Sequence, residues 1–503
     1  MTNANEFYLK TVSPLHIGCD EIYEPTSFAI DEQAKEMVVF NPFSFISQLG
    51  EEDKSNFIEL CARGDIGSIL EIYHFMRNRP AKGRRIAICQ GFLEHFKETL
   101  NILRNNENKI KQELNKFEIP RTAFRSIDQR PYIPGSAIKG ALRTAYLNMM
   151  RKDKKLSTAN KERNARKLEQ QLMDYGGIPD DPFRMVKVSD FMPVGEIKTQ
   201  IIYGVNKKKT PSERDARGLP LIFETILPGS IFTGTIMVNS PLPGAGIKET
   251  VTIQNLLKSS LIFYAKEKER EKAELSNIGI QSKDRSEEFR SKGNSFLIRV
   301  GRHSGAESVT IEGHRDIYIM GKKGEKKKTY KDHATTIWLA SESKKPSSEN
   351  NLEPFGWVCL ASMTNDLSVT FLTKEKERQE ETARIAREEK LEAERQRRLE
   401  RQAAEAAKKK ATEEEERKKE EEKRKAELEA MTPEERDIEA FSNPGLLEQQ
   451  VVEIYNRLDG YSPDIKVRIA KELKGYWIKN NKWSGKQSDK QKKKIQKVEK
   501  ILD

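Results

Sequence analysis

The sequence predicts an α+β protein that ends in a long charged helix and a small helical bundle. Three observations predict this. Through residues 1–373, β-prone runs alternate with helical stretches and are non-consecutive in sequence. Residues 374–430 hold 19 basic and 19 acidic side chains in 57 positions. Residues 431–503 open on a helix-capping signature followed by an apolar stripe.

The 503 residues carry 90 Lys and Arg against 78 Asp and Glu, a net charge of +12. At about 150 residues per domain, the length predicts about two to four domains. The charged segment is net zero, so +9 resides in 1–373 and +3 in 431–503. Such a surplus suits a polyanion, though many cytosolic chains share it. No apolar run approaches the roughly 20 residues of a membrane helix, so no membrane association is expected. The opening Met1–Phe7 lacks a basic region followed by an apolar one, so no signal peptide is expected. Cys19, Cys61, Cys89 and Cys359 are far apart and form no zinc spacing. Four reduced thiols in a cytoplasmic protein, with no metal and no cofactor, is the expectation.

In chain order, Glu6–Val12 and Glu36–Phe40 read as strands, ended by Ser13-Pro14 and Asn41-Pro42. Residues 55–117 read as a helical insertion, with Phe92, Phe96 and Leu100 repeating every fourth position. Residues 141–175 are helical again, and 151–170 are highly charged. Met185–Val188 and Ile197–Val205 are strands. Phe232–Val238 alternates clearly, with Phe232, Gly234, Ile236 and Val238 on one face. Residues 251–275 make an amphipathic helix. Ser295–Val300, Thr335–Leu339 and Gly356–Leu360 are strands. This order fits ferredoxin-like βαββαβ units, divided here into 1–182 and 183–373. Residues 206–219 read as a protruding polar loop. Residues 321–332 read as a second, basic loop with Lys322, Lys323, Lys326, Lys327 and Lys328.

Residues 374–430 are rich in strong helix formers but keep no heptad. They read as a solvated single helix or spacer of roughly 85 Å. Thr432-Pro-Glu-Glu435 is a capping box with Pro in the first turn. Leu446, Leu447, Val451, Ile454, Tyr455 and Leu458 supply an apolar face, and Gly460 a stop. Residues 431–503 therefore read as a bundle with a Lys-rich end.

Three segments could carry chemistry. In Arg130-Pro-Tyr-Ile-Pro-Gly-Ser-Ala-Ile-Lys-Gly-Ala-Leu-Arg143, Ser136 is a candidate N-cap, and Lys139 and Arg143 share one face near the helix start. Free amides and two cations there fit a phosphate backbone, and they equally fit an ordinary capped helix. In Arg299-Val-Gly-Arg-His-Ser-Gly305, Gly301 and Gly305 allow close backbone approach to an anion that Arg302 and His303 could contact. A plain glycine-rich hairpin turn is the alternative. In Ser13-Pro-Leu-His-Ile-Gly18, His16 is either structural or, with His303, half of an acid–base pair. Asp20, Asp31 and Asp190 are scattered, which argues against a metal nuclease. No aromatic RNA-recognition signature, phosphate-binding P-loop or HExxH motif is present.

Together these segments resemble the RAMP superfamily of CRISPR proteins. Ser13–Gly18 resembles its first-strand motif, Pro134–Arg143 its PGSSLKGALR-type element, Val188-Ser-Asp190 its VSD strand, and Gly301–Gly305 its glycine-rich loop. Four motifs in the family's order cover roughly residues 1–373. Within the superfamily, Leu15–Gly18 with Tyr23–Asp31, and the Arg299–Ser308 loop, look most like the fifth-subunit group of type III-A Csm effector complexes.

The resemblance implies ferredoxin-like (RRM-like) domains and a structural role without catalysis, capping the effector filament at the 3′ portion of the CRISPR RNA. It implies CRISPR RNA, other effector subunits and, for RNA maturation, host nucleases as partners. RNA contacts would come from His16, Gly18, Ser136, Lys139, Arg143, Arg299, Gly301, Arg302, His303 and Gly305. The 206–219 loop, with Lys207, Lys208, Lys209 and Arg214, would be a thumb-like projection. Residues 374–503 depart from the family pattern. A RAMP endoribonuclease, and an adaptor recruiting a partner through that extension, are the alternatives.

Overall fold

The computed structural model describes residues 5–102, 106–114, 117–156, 164–212, 216, 218–281, 285, 295–320, 329–346 and 351–503, except the side chains of 428 and 429. Met1–Ala383 forms one unit and Arg384–Asp503 a second.

The first unit opens with β1 (Asn5–Thr11), whose alternation buries Phe7 and Leu9 on one face. β2 (Gly18–Ile22) follows the first motif, and β3 (Phe28–Asp31) pairs with β4 (Glu36–Val39). Asn41 caps α1 (Pro42–Ile46), and Asp65 separates α2 (Glu51–Arg63) from α3 (Ile66–Met76) by capping the latter. β5 (Arg84–Ile88), α4 (Gln90–Leu100), α5 (Glu107–Leu114) and β6 (Pro120–Thr122) lead to α6 (Gly135–Asp153) and α7 (Ala165–Met173). Next come β7 (Val186–Val188), β8 (Met192–Val194), β9 (Thr199–Lys208), β10 (Leu221–Ile226) and β11 (Ile231–Val238). α8 (Ile253–Asn277), β12 (Ser295–Arg299), β13 (Ile317–Ile319), β14 (Thr329–Lys331), β15 (Thr336–Ser341), β16 (Glu353–Pro354) and β17 (Trp357–Ser362) complete it.

One sheet runs β12-β17-β1-β11-β7, with β8 also on β11. In it β1 lies antiparallel between β11 and β17, and β7 lies outside β11. With α6 between β1 and β7, and α8 between β11 and β17, this is the strand order of a ferredoxin-like βαββαβ unit. α6 and α8 bring Leu142 and Tyr264 into one core with Phe232, Ile298 and Trp357. The second sheet runs β16-β15-β9-β5-β4-β3, with β10 on β9, over a core that includes Phe92, Phe96 and Tyr203.

Several expectations change here. The division at 182 and 183 is not a physical boundary, because both sheets draw strands from both sides of it. β1 pairs with β11 and β17, and β5 with β9. β5 also interrupts the expected helical insertion, since its two arginines mask a strand whose Ile86 and Ile88 are buried. The charged helix, α9 (Asn365–Ala430), starts earlier than composition indicates. Its first turns are amphipathic and pack on the sheet: Phe371 meets Tyr8 edge-on, with ring centroids 5.6 Å apart. Arg130 then clasps Glu375 through Nη1 and Nη2 at 2.8 and 3.1 Å, and Gly195 N donates to Glu375 at 3.0 Å. Burial would raise the Glu375 carboxyl, but Arg378 and Arg130 hold it at about 2.

In the second unit α9 continues with exposed side chains and ion pairs four residues apart, such as Glu414–Lys418 and Glu421–Lys425. The capping box forms: Glu435 N donates to Thr432 Oγ1, and Thr432 N to the Glu435 carboxylate. α10 (Pro433–Glu439), α11 (Glu448–Asn456), α12 (Pro463–Lys479) and α13 (Asp489–Leu502) follow. Val451, Ile454, Leu458, Leu473, Trp477 and Val498 form their core. Leu447 instead stays exposed.

Candidate nucleic-acid interface

The four sequence motifs lie side by side, joined by backbone hydrogen bonds. Arg302 N donates to His16 O at 2.9 Å, and Ala123 N to Ile17 O at 2.7 Å. Tyr132 N donates to Ala123 O at 3.1 Å, while Ile133 and Phe191 exchange bonds of 3.1 and 2.8 Å. At the far end Gly135 N donates to Asp190 Oδ1 at 2.8 Å. A glycine is required at 135, because a Cβ would strike Val188 O and lie 2.6 Å from Ser189 O. The PGS turn and the VSD segment are thus two halves of one close contact.

This contact corrects the role read for Ser136. Helix α6 starts at Gly135 with Pro134 as its N-cap residue, and no side-chain bond caps it from there. Asp190, distant in sequence, places a carboxylate at that helix start instead. Lys139 Nζ donates to Val186 O at 2.9 Å, and burial, with Lys187 nearby, lowers its pKa. Arg143 pairs with Glu169 at 2.7 Å and Asp181 at 3.0 Å, and donates to Tyr175 Oη. The two cations expected to face phosphate are therefore engaged within the fold, tying α6 to β7 and α7.

The glycine-rich loop is built over buried charge. Arg299 is corrected from a surface contact to a core residue. Its side chain is 1 % exposed, pairs with Glu271 at 2.6 Å and donates through Nε to Phe355 O. Glu271 also accepts from Trp357 Nε1 at 2.6 Å. Gly301 has φ +85°, and a Cβ there would lie 2.5 Å from His16 O. His303 adopts φ +61° and Gly305 φ +80°, and Ser304 Oγ closes the turn on Gly301 O. A cavity of about 390 Å³ below the loop is lined by Lys209, Arg270, Glu274, Glu307 and Trp338, among others.

Lys209 is corrected in the same way. Residues 206–208 continue β9, pairing Lys207 with Ile337 and Lys208 with Thr336, so the polar loop starts later than expected. Lys209 is buried and reaches Glu307 at 2.6 Å and Glu274 at 2.9 Å. Burial raises the Glu307 carboxyl, but Lys209 and Arg270 outweigh it and hold it at about 2. Lys208 Nζ donates to Ser212 Oγ at 2.8 Å. Arg214 and residues 321–328 of the second loop lie outside the described residues.

The fold does bring His16 and His303 together, with both rings packed on Phe223. Ring centroids are 4.9 Å apart for His16–Phe223 and 5.1 Å for Phe223–His303. His16 is 1 % exposed and its Nδ1 lies 2.7 Å from Glu224 O. Burial lowers the pKa of both rings, that of His303 to about 4, where His16 and Arg302 add to the shift. His16 belongs to the core, whereas His303 is half-buried and lines the cavity below the loop.

Gly18, Ser136, Arg302 and Gly305 remain exposed. The Arg302 side chain lies over Gly18, where a Cβ would sit 3.2 Å from its Cδ. Sequence reasoning missed Arg121 and Phe124, which border the same strip. The Arg121 guanidinium sits 3.4 Å above the Phe124 ring, donates to Gln129 Oε1 at 3.0 Å and faces Glu21 at 3.7 Å with 11 % of its side chain exposed, while β6 pairs Thr122 with Gly18. Their signal was the Arg-Thr-Ala-Phe-Arg run at 121–125, a basic and aromatic interleave too short to stand out. The outer face of the first sheet is covered at Tyr8 by Phe371.

The RAMP superfamily model matches residues 8–298. Two solved structures are similar at 18 % identity. A cryo-EM Csm–crRNA–target RNA ternary complex of a type III-A CRISPR-Cas system has TM-score 0.45, over 71 % of this chain and 100 % of that one. The crystal structure of Csm5 from T. onnurineus has TM-score 0.41, over 70 % and 99 %. No curated protein matches the sequence. The matched span holds three of the four motifs and extends to the strand that opens the fourth, so the chain belongs to the RAMP superfamily.

Proposed function

We propose that this chain is an RNA-binding structural subunit of a type III-A CRISPR effector complex, capping the filament at the 3′ portion of the guide RNA. The observation that carries the reading is the strip made where the motifs meet: exposed Arg302 lying over exposed Gly18. Gly18, with no side chain, lets Arg302 lie flat on the backbone and present an exposed guanidinium to a phosphate. The type III-A assignment rests on RAMP membership and on the resemblance of 15–31 and 299–308 to the fifth-subunit group. CRISPR RNA and the other effector subunits are the partners in this reading, and host nucleases act on the RNA.

The reading includes no catalysis by this chain. General acid–base cleavage needs two titrating groups facing one phosphate. His16 is instead 1 % exposed, with Nδ1 held by Glu224 O, so it does not face a phosphate at the surface. The test is to copurify the chain with its neighbouring subunits and compare guide RNA retained by wild type and Arg302→Glu. At least tenfold less RNA in an intact complex is expected. Undiminished RNA would overturn the site, and shortened RNA made by the chain alone, lost in His303→Ala, would establish the nuclease reading.

A further inference from the structure

The bundle of the second unit separates its charges. Residues 431–465 contain 2 basic and 8 acidic side chains, whereas 466–500 contain 13 basic and 3 acidic. Part of that basic half is neutralised across the bundle: Lys482 pairs with Glu448, and Lys466 and Lys497 with Asp459. On α13, Lys490, Lys493 and Lys500 are exposed, and no ion pair is found for them among the described residues. Together with Lys497 they recur at intervals of three and four, one stripe on a helix whose opposite side buries Ile495 and Val498.

Aromatic rings border this charge. Lys494 and Lys497 lie 5.1 and 5.4 Å from the Tyr455 centroid, and Lys474 lies 5.2 Å from that of Trp483. Both rings are half-buried, each packed against Trp477. A cation row releases counterions from a phosphate chain, and partly exposed rings offer stacking to unpaired bases. An acidic protein would use the lysines but not the rings.

We propose that the lysine face of α12 and α13 is a second nucleic-acid site, which takes the phosphate backbone of single-stranded RNA without sequence preference. It stands on the bundle's own charge and rings and does not rest on the role proposed for the Arg302 strip.

The test uses the full chain carrying Arg302→Glu, so that the strip is disabled in both arms. Lys490→Glu, Lys493→Glu and Lys500→Glu are added together to one arm. Binding of a labelled mixed-sequence single-stranded RNA is followed by anisotropy from 50 to 200 mM salt, with photocrosslinks mapped to peptides. The expected result is at least tenfold weaker binding, a log K against log salt slope shallower by about 2, and loss of crosslinks within 466–500. The corresponding Lys→Gln variant should fall between, and unchanged helical circular dichroism keeps folding out of the comparison. Equal affinity and slope in the two arms would overturn the proposal. So would concentration-dependent self-association that the triple variant abolishes while RNA binding stays constant, which would assign the face to the acidic half of a second copy.

Discussion

In the first unit Arg299 and Glu271 meet at 2.6 Å with 1 % of each side chain exposed. In the second, Lys418 and Glu414 meet at 3.1 Å with 68 % and 61 % exposed. The two pairs have similar chemistry and opposite consequences. Water screens the second pair, so either partner can leave at little cost. The first has no water to fall back on, so each ion depends on the other and on Trp357 and Phe355 around them. A cation's place in sequence therefore says little about its task. Lys139, Arg143, Lys209 and Arg299 all come from motif or loop segments, and all are held inside the first unit by carboxylates or a carbonyl.

The contrast is most directly broken by Glu271→Leu. Leaving Arg299 buried and unpaired should destabilise the first unit by about 3–5 kcal/mol, read as an earlier urea transition of its tryptophans. Arg143→Met should follow. Loss of its bonds to Glu169 and Asp181 costs about 1.5–3 kcal/mol, while RNA retained per folded complex stays within twofold. A tenfold loss of RNA at unchanged stability would return Arg143 to the interface.

Acid sharpens the comparison next. His303 titrates near 4 in the fold against an ordinary 6.5. Between those values the unfolded chain binds a proton that the native chain refuses, so first-unit stability should fall as pH drops from about 6.5 to 4. Urea midpoints should show that slope, and His303→Phe should flatten it. The smallest effect belongs to the exposed pair. Glu414→Ala should shift stability by no more than about 0.5 kcal/mol, visible as a slight loss of helix signal that vanishes in high salt.

Motifs were legible because backbone geometry restricts residue choice. Gly135 and Gly301 are fixed by close approach to Ser189 and His16 oxygens, and such needs leave a trace in sequence. Their partners were not legible. Nothing local to Asp190 says that it receives the α6 amide, and nothing near Lys209 says that Glu307 lies almost a hundred residues further on. β5 and the early start of α9 were missed for a related reason. Arg84 and Arg85 read as surface residues until Glu224 and Glu36 appear opposite them, and Phe371 reads as incidental until Tyr8 lies beneath it.

By itself the sequence determined the α+β class, eight of the seventeen strands among the described residues, the capping box at Thr432 and the family, because propensity, alternation and turn chemistry are properties of neighbouring residues. Only the tertiary structure decided which cations are available. A lysine or arginine is committed or free according to the carboxylates and carbonyls that distant strands bring within hydrogen-bond reach, as Val186 does for Lys139 and nothing described does for Lys493.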